Sequence, residues 1–125
     1  MSSPFPDTGA AAELLAECDL LRARASEAGI ELDGSVGSLE LLDQLPPSWR
    51  DDPEEVSRLG NDAGLYFGTV IVRTVPGAVW RLWPDGTAVV ALASGREIDV
   101  VEAGRSWAES GTPELSQAYA EVSED

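Results

Sequence analysis

The chain has 125 residues, 43% hydrophobic and 25% charged, and sets 23 acidic residues against eight arginines with no lysine and no histidine, a net charge of −15. That length is enough for one domain that buries about two-thirds of the surface of its unfolded form, with no call for a metal or a disulfide. The charge repels phosphate backbones and anionic lipid, which argues against direct nucleic-acid or membrane-surface binding and for either simple solubility or steering onto a basic partner.

Residues 1–9, MSSPFPDTG, combine two prolines with Ser, Asp and Gly and carry no hydrophobic period, so they read as a disordered leader. From Ala11 to Ala28 the positions Leu14, Leu15, Cys18, Leu21, Ala25 and Ala28 recur at three- and four-residue spacing, which predicts an amphipathic helix closed by Gly29. After a short extended segment at Ile30 to Ser35, a second helix is expected from about Ser38 to Leu45. Leu39, Leu42 and Leu45 share one of its faces, Ser35 or Ser38 caps it, and Pro46-Pro47 stops it.

Asp51-Asp52-Pro53-Glu54-Glu55 has the order of an N-cap, a proline at the first helical position and acids favoured by the helix dipole, opening a short helix to about Leu59. Residues 63–75 are rich in strand-favouring Thr, Val and Ile, but 13 residues exceed a usual strand. A separate, centrally buried helix is therefore expected there, with Asn61 or Asp62 as its cap and Pro76-Gly77 as its stop. Gly64 and Gly68 would let another element approach it closely.

From Ala78 the period becomes two. Trp83-Pro84-Asp85-Gly86-Thr87 and Ser94-Gly95 mark two reversals, which predicts a three-stranded antiparallel meander near 78–83, 87–93 and 96–100. Asp99 and Glu102 then have capping-box spacing for a helix to about Glu109, ended by Gly111. Thr112-Pro113-Glu114 opens a last helix bearing Leu115, Ala118, Tyr119 and Val122, and residues 123–125 are a frayed acidic tail. The segregated order of helices, strands and helices predicts one α+β domain over 10–122, with a helical N-terminal half, a central buried helix, the meander and C-terminal helices.

The segments GIELDGS, SLELLDQL, AGLYFGTVIVRTVPGAVWRLWPDG and LASGREIDV are similar to a group of small uncharacterised actinobacterial proteins, a family of unknown function, over about Ile30 to Gly104. The resemblance implies that the block from Leu59 to Val75 is a central helix feeding a meander. It implies no activity.

Chemistry is thinly represented. Without histidine the chain lacks the commonest general base and metal ligand, and without lysine it cannot form a Schiff base. Cys18, the single cysteine, has Glu17 and Asp19 beside it, which disfavour a thiolate, and reads as a buried structural thiol. One cysteine, no apolar run long enough to cross a bilayer and no secretion-type leader fit the cytoplasm. Asp51, Asp52, Glu54 and Glu55 lack the alternating spacing of a calcium loop and are explained by helix capping, so no metal and no cofactor is expected.

Alternation puts Trp80 and Leu82 on one face of the first strand and Val79, Arg81 and Trp83 on the other, where either the C-terminal helices or a partner must cover them. The leading expectation is a non-catalytic protein-binding module, an inhibitor, immunity-like or regulatory partner. It would engage a more basic protein through Arg81, Trp83 and the acids Asp51, Asp52, Glu54 and Glu55, or self-associate through the Trp83 face. The alternatives are a small-ligand or carboxylate-dependent enzyme with a pocket between central helix and meander, lined by Tyr66, Trp80 and Glu97, and a DNA mimic with acids along one face.

Overall fold

The structure is a computed structural model that describes residues 18–45 and 48–124. Among these, five α-helices and a three-stranded antiparallel sheet form an α+β arrangement: α1 (Asp19–Glu27), α2 (Val36–Asp43), a 3-10 turn (Ser48–Asp51), α3 (Pro53–Thr74), β1 (Val79–Leu82), β2 (Ala88–Ala91), β3 (Glu97–Ile98), α4 (Val100–Ser110) and α5 (Leu115–Ser123). The expected leader and the last residue lie outside the described residues, as do 11–17 and the Pro46-Pro47 stop.

Helix α3 is the spine. Leu59, Ala63, Tyr66, Phe67, Val70 and Ile71 are all fully buried along it. The expectation of two helices, 53–59 and 63–75, is corrected: one helix of 22 residues runs unbroken through Gly60, Asn61 and Asp62, so neither of the latter two is its cap. Asp52 is the cap, with Pro53 first in the helix, and its Oδ1 accepts from Glu54 N at 3.0 Å and Glu55 N at 3.4 Å. The helical reading of 63–75 is borne out. The strand-favouring threonines are accommodated because Thr69 and Thr74 donate their hydroxyls to the carbonyls of Leu65 and Val70, four residues back, at 2.9 and 2.7 Å.

Gly60, Gly64 and Gly68 fall on one side of α3 at four-residue spacing. A Cβ on Gly60 would stand 2.9 Å from Arg105 Cα, and one on Gly64 would stand 2.5 Å from both Val100 O and Val101 Cα. Gly104 of α4 meets them, its own Cβ position lying 2.5 Å from Gly64 Cα. Absent side chains let the two helix backbones touch; Gly60 therefore continues the helix, where sequence reasoning had it near an end. Further along the same side, the benzo ring of Trp80 presses onto Gly68, which seats β1 on α3.

Two helix starts are capped from far away. α1 begins at Asp19, with buried Cys18 at its N-cap, where the expectation had Cys18 inside the helix, and no local side-chain cap. Asp62 of α3 supplies one instead, its Oδ2 accepting from Leu20 N at 3.1 Å and Leu21 N at 3.2 Å, while Cys18 Sγ donates to the Asp62 carbonyl at 3.4 Å. α5 likewise starts without a cap of its own, and Asp43 at the end of α2 accepts from Leu115 N, Ser116 N and Ser116 Oγ at 2.8, 3.0 and 2.6 Å. Each carboxylate satisfies orphan N–H groups and ties two distant elements together.

The remaining contacts close the core. Ser35 caps α2 through its Oγ, which accepts from Ser38 N at 3.2 Å, so that helix starts at Val36 and ends two residues before the expected Leu45. The buried Tyr66 hydroxyl accepts from Gly34 N at 2.9 Å and pairs with Ser38 Oγ at 2.6 Å. Trp49 stacks at a tilt on Trp107, centroids 5.4 Å apart, and donates Nε1–H to the Ala108 carbonyl at 2.9 Å. Asp99 caps α4 by accepting from Glu102 N at 3.1 Å, and left-handed Gly111 ends it.

Candidate functional site

The meander begins where α3 ends. Pro84-Asp85-Gly86 turns β1 into β2: Gly86 takes φ +90°, its N–H reaches Trp83 O at 2.8 Å, and Thr87 N donates to Asp85 Oδ1 at 2.9 Å. The Thr87 hydroxyl, and after it that backbone contact, hold the pKa of the Asp85 carboxyl below its ordinary value. The strands are ordered β1-β2-β3, with Trp80 opposite Val90, Arg81 opposite Val89 and Ala91 opposite Glu97.

Side chains divide across the sheet as alternation requires. Trp80 and Val90 face the core. On the other face Trp83 donates Nε1–H to Glu97 Oε1 at 3.2 Å, and Arg81 Nη1 stands 3.8 Å from Glu97 Oε2. These side chains reach from β1 across β2 to β3, and Val89 of β2, which lies outside the main hydrophobic core, is fully buried on this face. The C-terminal helices pack elsewhere: α4 along α3 and against the sheet's β2, and α5 against α2. Val79 stays 44% exposed and Leu82 70% exposed, the latter overhanging the core side that alternation assigned it. A cleft of about 680 Å³ follows β1, lined by Val79 to Pro84 and Glu97.

Among the described residues β1 is also an open edge. Trp83 N donates to Thr87 O at 2.9 Å, and Leu92 N donates to Arg96 O at 2.8 Å on the far side of β2. With the observed register, Val79, Arg81 and Trp83 therefore turn their main-chain groups toward β2, and those of Trp80 and Leu82 point outward. Trp80, which lines the same cleft, keeps a buried Nε1–H without an acceptor among the described residues.

The other candidate residues are scattered. Asp52 is occupied as the α3 cap, Glu55 is ion-paired to Arg24, and Asp51 and Glu54 are exposed beside them. Asp52 and Gly68, where Trp80 sits, are 16 positions apart on α3, about 24 Å along its axis, so the acidic cluster and the Trp83 face are not one patch. Tyr66 is fully buried against Ser38 and Gly34, where burial raises its hydroxyl pKa, and it does not share the cleft of Trp80 and Glu97. Among the described residues no three acidic or cysteine side chains gather to hold a metal ion.

Sequence reasoning missed two features. The exposure of Val79 and Leu82 had one available signal: a short strand whose only charge is Arg81, without the lysines or proline that usually blunt an edge. A second cleft of about 340 Å³, between Arg50 and Pro53 on one side and Arg105 and Glu109 on the other, had none, because it depends on the glycine contact of α3 with α4.

The chain belongs to a family of unknown function, DUF6278, whose match covers residues 1–125 and so extends well beyond the resemblance at 30–104. No curated protein and no solved structure matches the chain. None of its helices among the described residues is long and apolar enough to cross a membrane.

Proposed function

We propose that this chain is a non-catalytic protein-binding module, an inhibitor or regulatory partner acting in the cytoplasm, and that it meets a more basic protein through the Trp83 side of β1. The observation that carries the reading is exposed Val79 on the Trp83 and Arg81 side of β1, with exposed Leu82 overhanging the opposite side, on a strand whose outer face no helix among the described residues packs against. Trp and Arg are the residue types that concentrate binding energy at protein interfaces, and an apolar strip rimmed by polar groups fits such a surface. The net charge of −15 speeds encounter with a cationic partner and excludes polyanions.

Affinity capture from the native lysate tests this, comparing the natural chain with Leu82→Lys and Trp83→Ala at low and moderate salt. The reading predicts a discrete basic protein held by the natural chain, lost with either variant, and released as salt rises. Recovery that is unchanged by both variants would remove β1 from the interface.

A further inference from the structure

We infer that the occupant of β1 is an extended cationic segment of the partner, which adds to the sheet as a fourth strand; the inference rests on the protein-binding reading above and specifies how that binding works. Two observations carry it. The main-chain groups of Trp80 and Leu82 point away from β2 at an open edge, and a strand laid there pairs with them as β2 pairs with Arg81 and Trp83. The cleft of about 680 Å³ runs along this edge and exposes apolar surface on both faces of β1, Val79 on one and Leu82 on the other, so an added strand gains side-chain contact at successive positions.

Charge selects among possible strands. A second copy of this chain also carries −15, so edge-to-edge pairing brings two strongly like-charged bodies together. Among the described residues the charges lining the cleft, Arg81 and Glu97, are set against each other, which leaves the edge locally neutral while the rest of the chain attracts cations. The segment that fits has an apolar residue on each face, one over Val79 and one over Leu82, and Lys or Arg in the flanks.

The probe is a set of short peptides enriched from a randomised display library on the full chain and then synthesised. Enriched peptides should be cationic with an apolar residue on each face of the strand, and should slow amide exchange at Trp80 and Leu82 by about tenfold or more. N-methylation of the peptide amides that face β1 should weaken binding about tenfold or more, and Leu82→Lys should do the same by repulsion. The Leu82 side chain is already exposed, so this variant keeps the fold. Peptides that protect another surface, or that bind equally well after N-methylation, would overturn strand addition and leave the protein-binding reading standing. Enrichment of no peptide would overturn both. Protection of Trp80 and Leu82 that arises only in a dimer of the chain would replace the cationic segment with a second copy.

Discussion

The indole of Trp83 and the carboxylate of Glu97 meet across strand β2, Nε1 to Oε1 at 3.2 Å, and Val89 beneath them is sealed from water. Side chains of the sheet itself thus cross this face, while the edge beside it is unpaired among the described residues. Trp83→Ala should uncover Val89 and cost about 1–2 kcal/mol, seen as a lower urea midpoint. Glu97→Gln keeps an acceptor for the indole and gives up only an exposed, long contact with Arg81, so its midpoint should move by less than about 0.5 kcal/mol.

The backbone contact between α3 and α4 makes a different prediction. Gly104→Ala places a methyl 2.5 Å from Gly64 Cα, which no side-chain rotation can relieve, so the helices must part. The expected loss is about 3 kcal/mol in denaturant unfolding. Gly86→Ala is the control: nothing lies within 4 Å of the new methyl, and only the φ of +90° opposes it, at about 1–2 kcal/mol.

Asp62 should show an inverted pH signature. Burial raises its carboxyl above the ordinary 3.8, outweighing the two N–H groups of Leu21 and Leu20 that favour the anion. The folded state thus binds the proton more tightly than the unfolded chain. The stability this confers is complete below 3.8 and is lost as pH rises through the raised value. Asp62→Asn keeps an oxygen for Leu20 and Leu21 and deletes that decline, so relative to the natural chain it should gain stability as pH rises from 3.8 toward neutrality. Asp62→Ala leaves both N–H groups without their acceptor and should cost about 1–3 kcal/mol at neutral pH. Asp33, held low by the Ser35 hydroxyl and N–H, has the opposite sign: its contribution is present above 3.8 and is lost as pH falls through its lowered value. Denaturation midpoints measured across this range separate the three.

Amide exchange in the free chain tests the open edge. Arg81 and Trp83, whose main-chain groups turn toward β2, should exchange more slowly than Leu82 between them, whose N–H faces outward. Equal protection at all three would show that something already pairs with β1.

Much of this architecture was legible because local chemistry and tertiary demand agree. The Asp52-Pro53 start, the Pro84-Asp85-Gly86 turn, the Asp99 cap and the Gly111 stop are short-range signals, and each sits where the residues placed it. The break at Gly60 to Asp62 was misread because glycine and a capping aspartate are local end signals, whereas here both serve distant partners, Gly60 the backbone of α4 and Asp62 the start of α1. Cys18 was placed inside a helix for the same reason: the carboxylate that lets α1 begin at Asp19 lies more than forty residues away in the sequence. At the site, alternation correctly sorted Trp80 from Arg81 and Trp83. It could not show that the acids at 51–55 stand at the far end of α3, nor that Tyr66 turns to Ser38, since both depend on the length and rotation of one continuous helix.

Binding of another protein at β1 can be seen by site-specific photo-crosslinking inside the native cell. A photoreactive residue is placed at Leu82 on the edge or at Leu41 on α2, a comparably apolar position that is 45% exposed. Position 82 should give one discrete adduct with a basic protein, absent from position 41 and diminished when Trp83 is replaced by alanine. Adducts of the same identity and yield from both positions, or none from position 82, would contradict it.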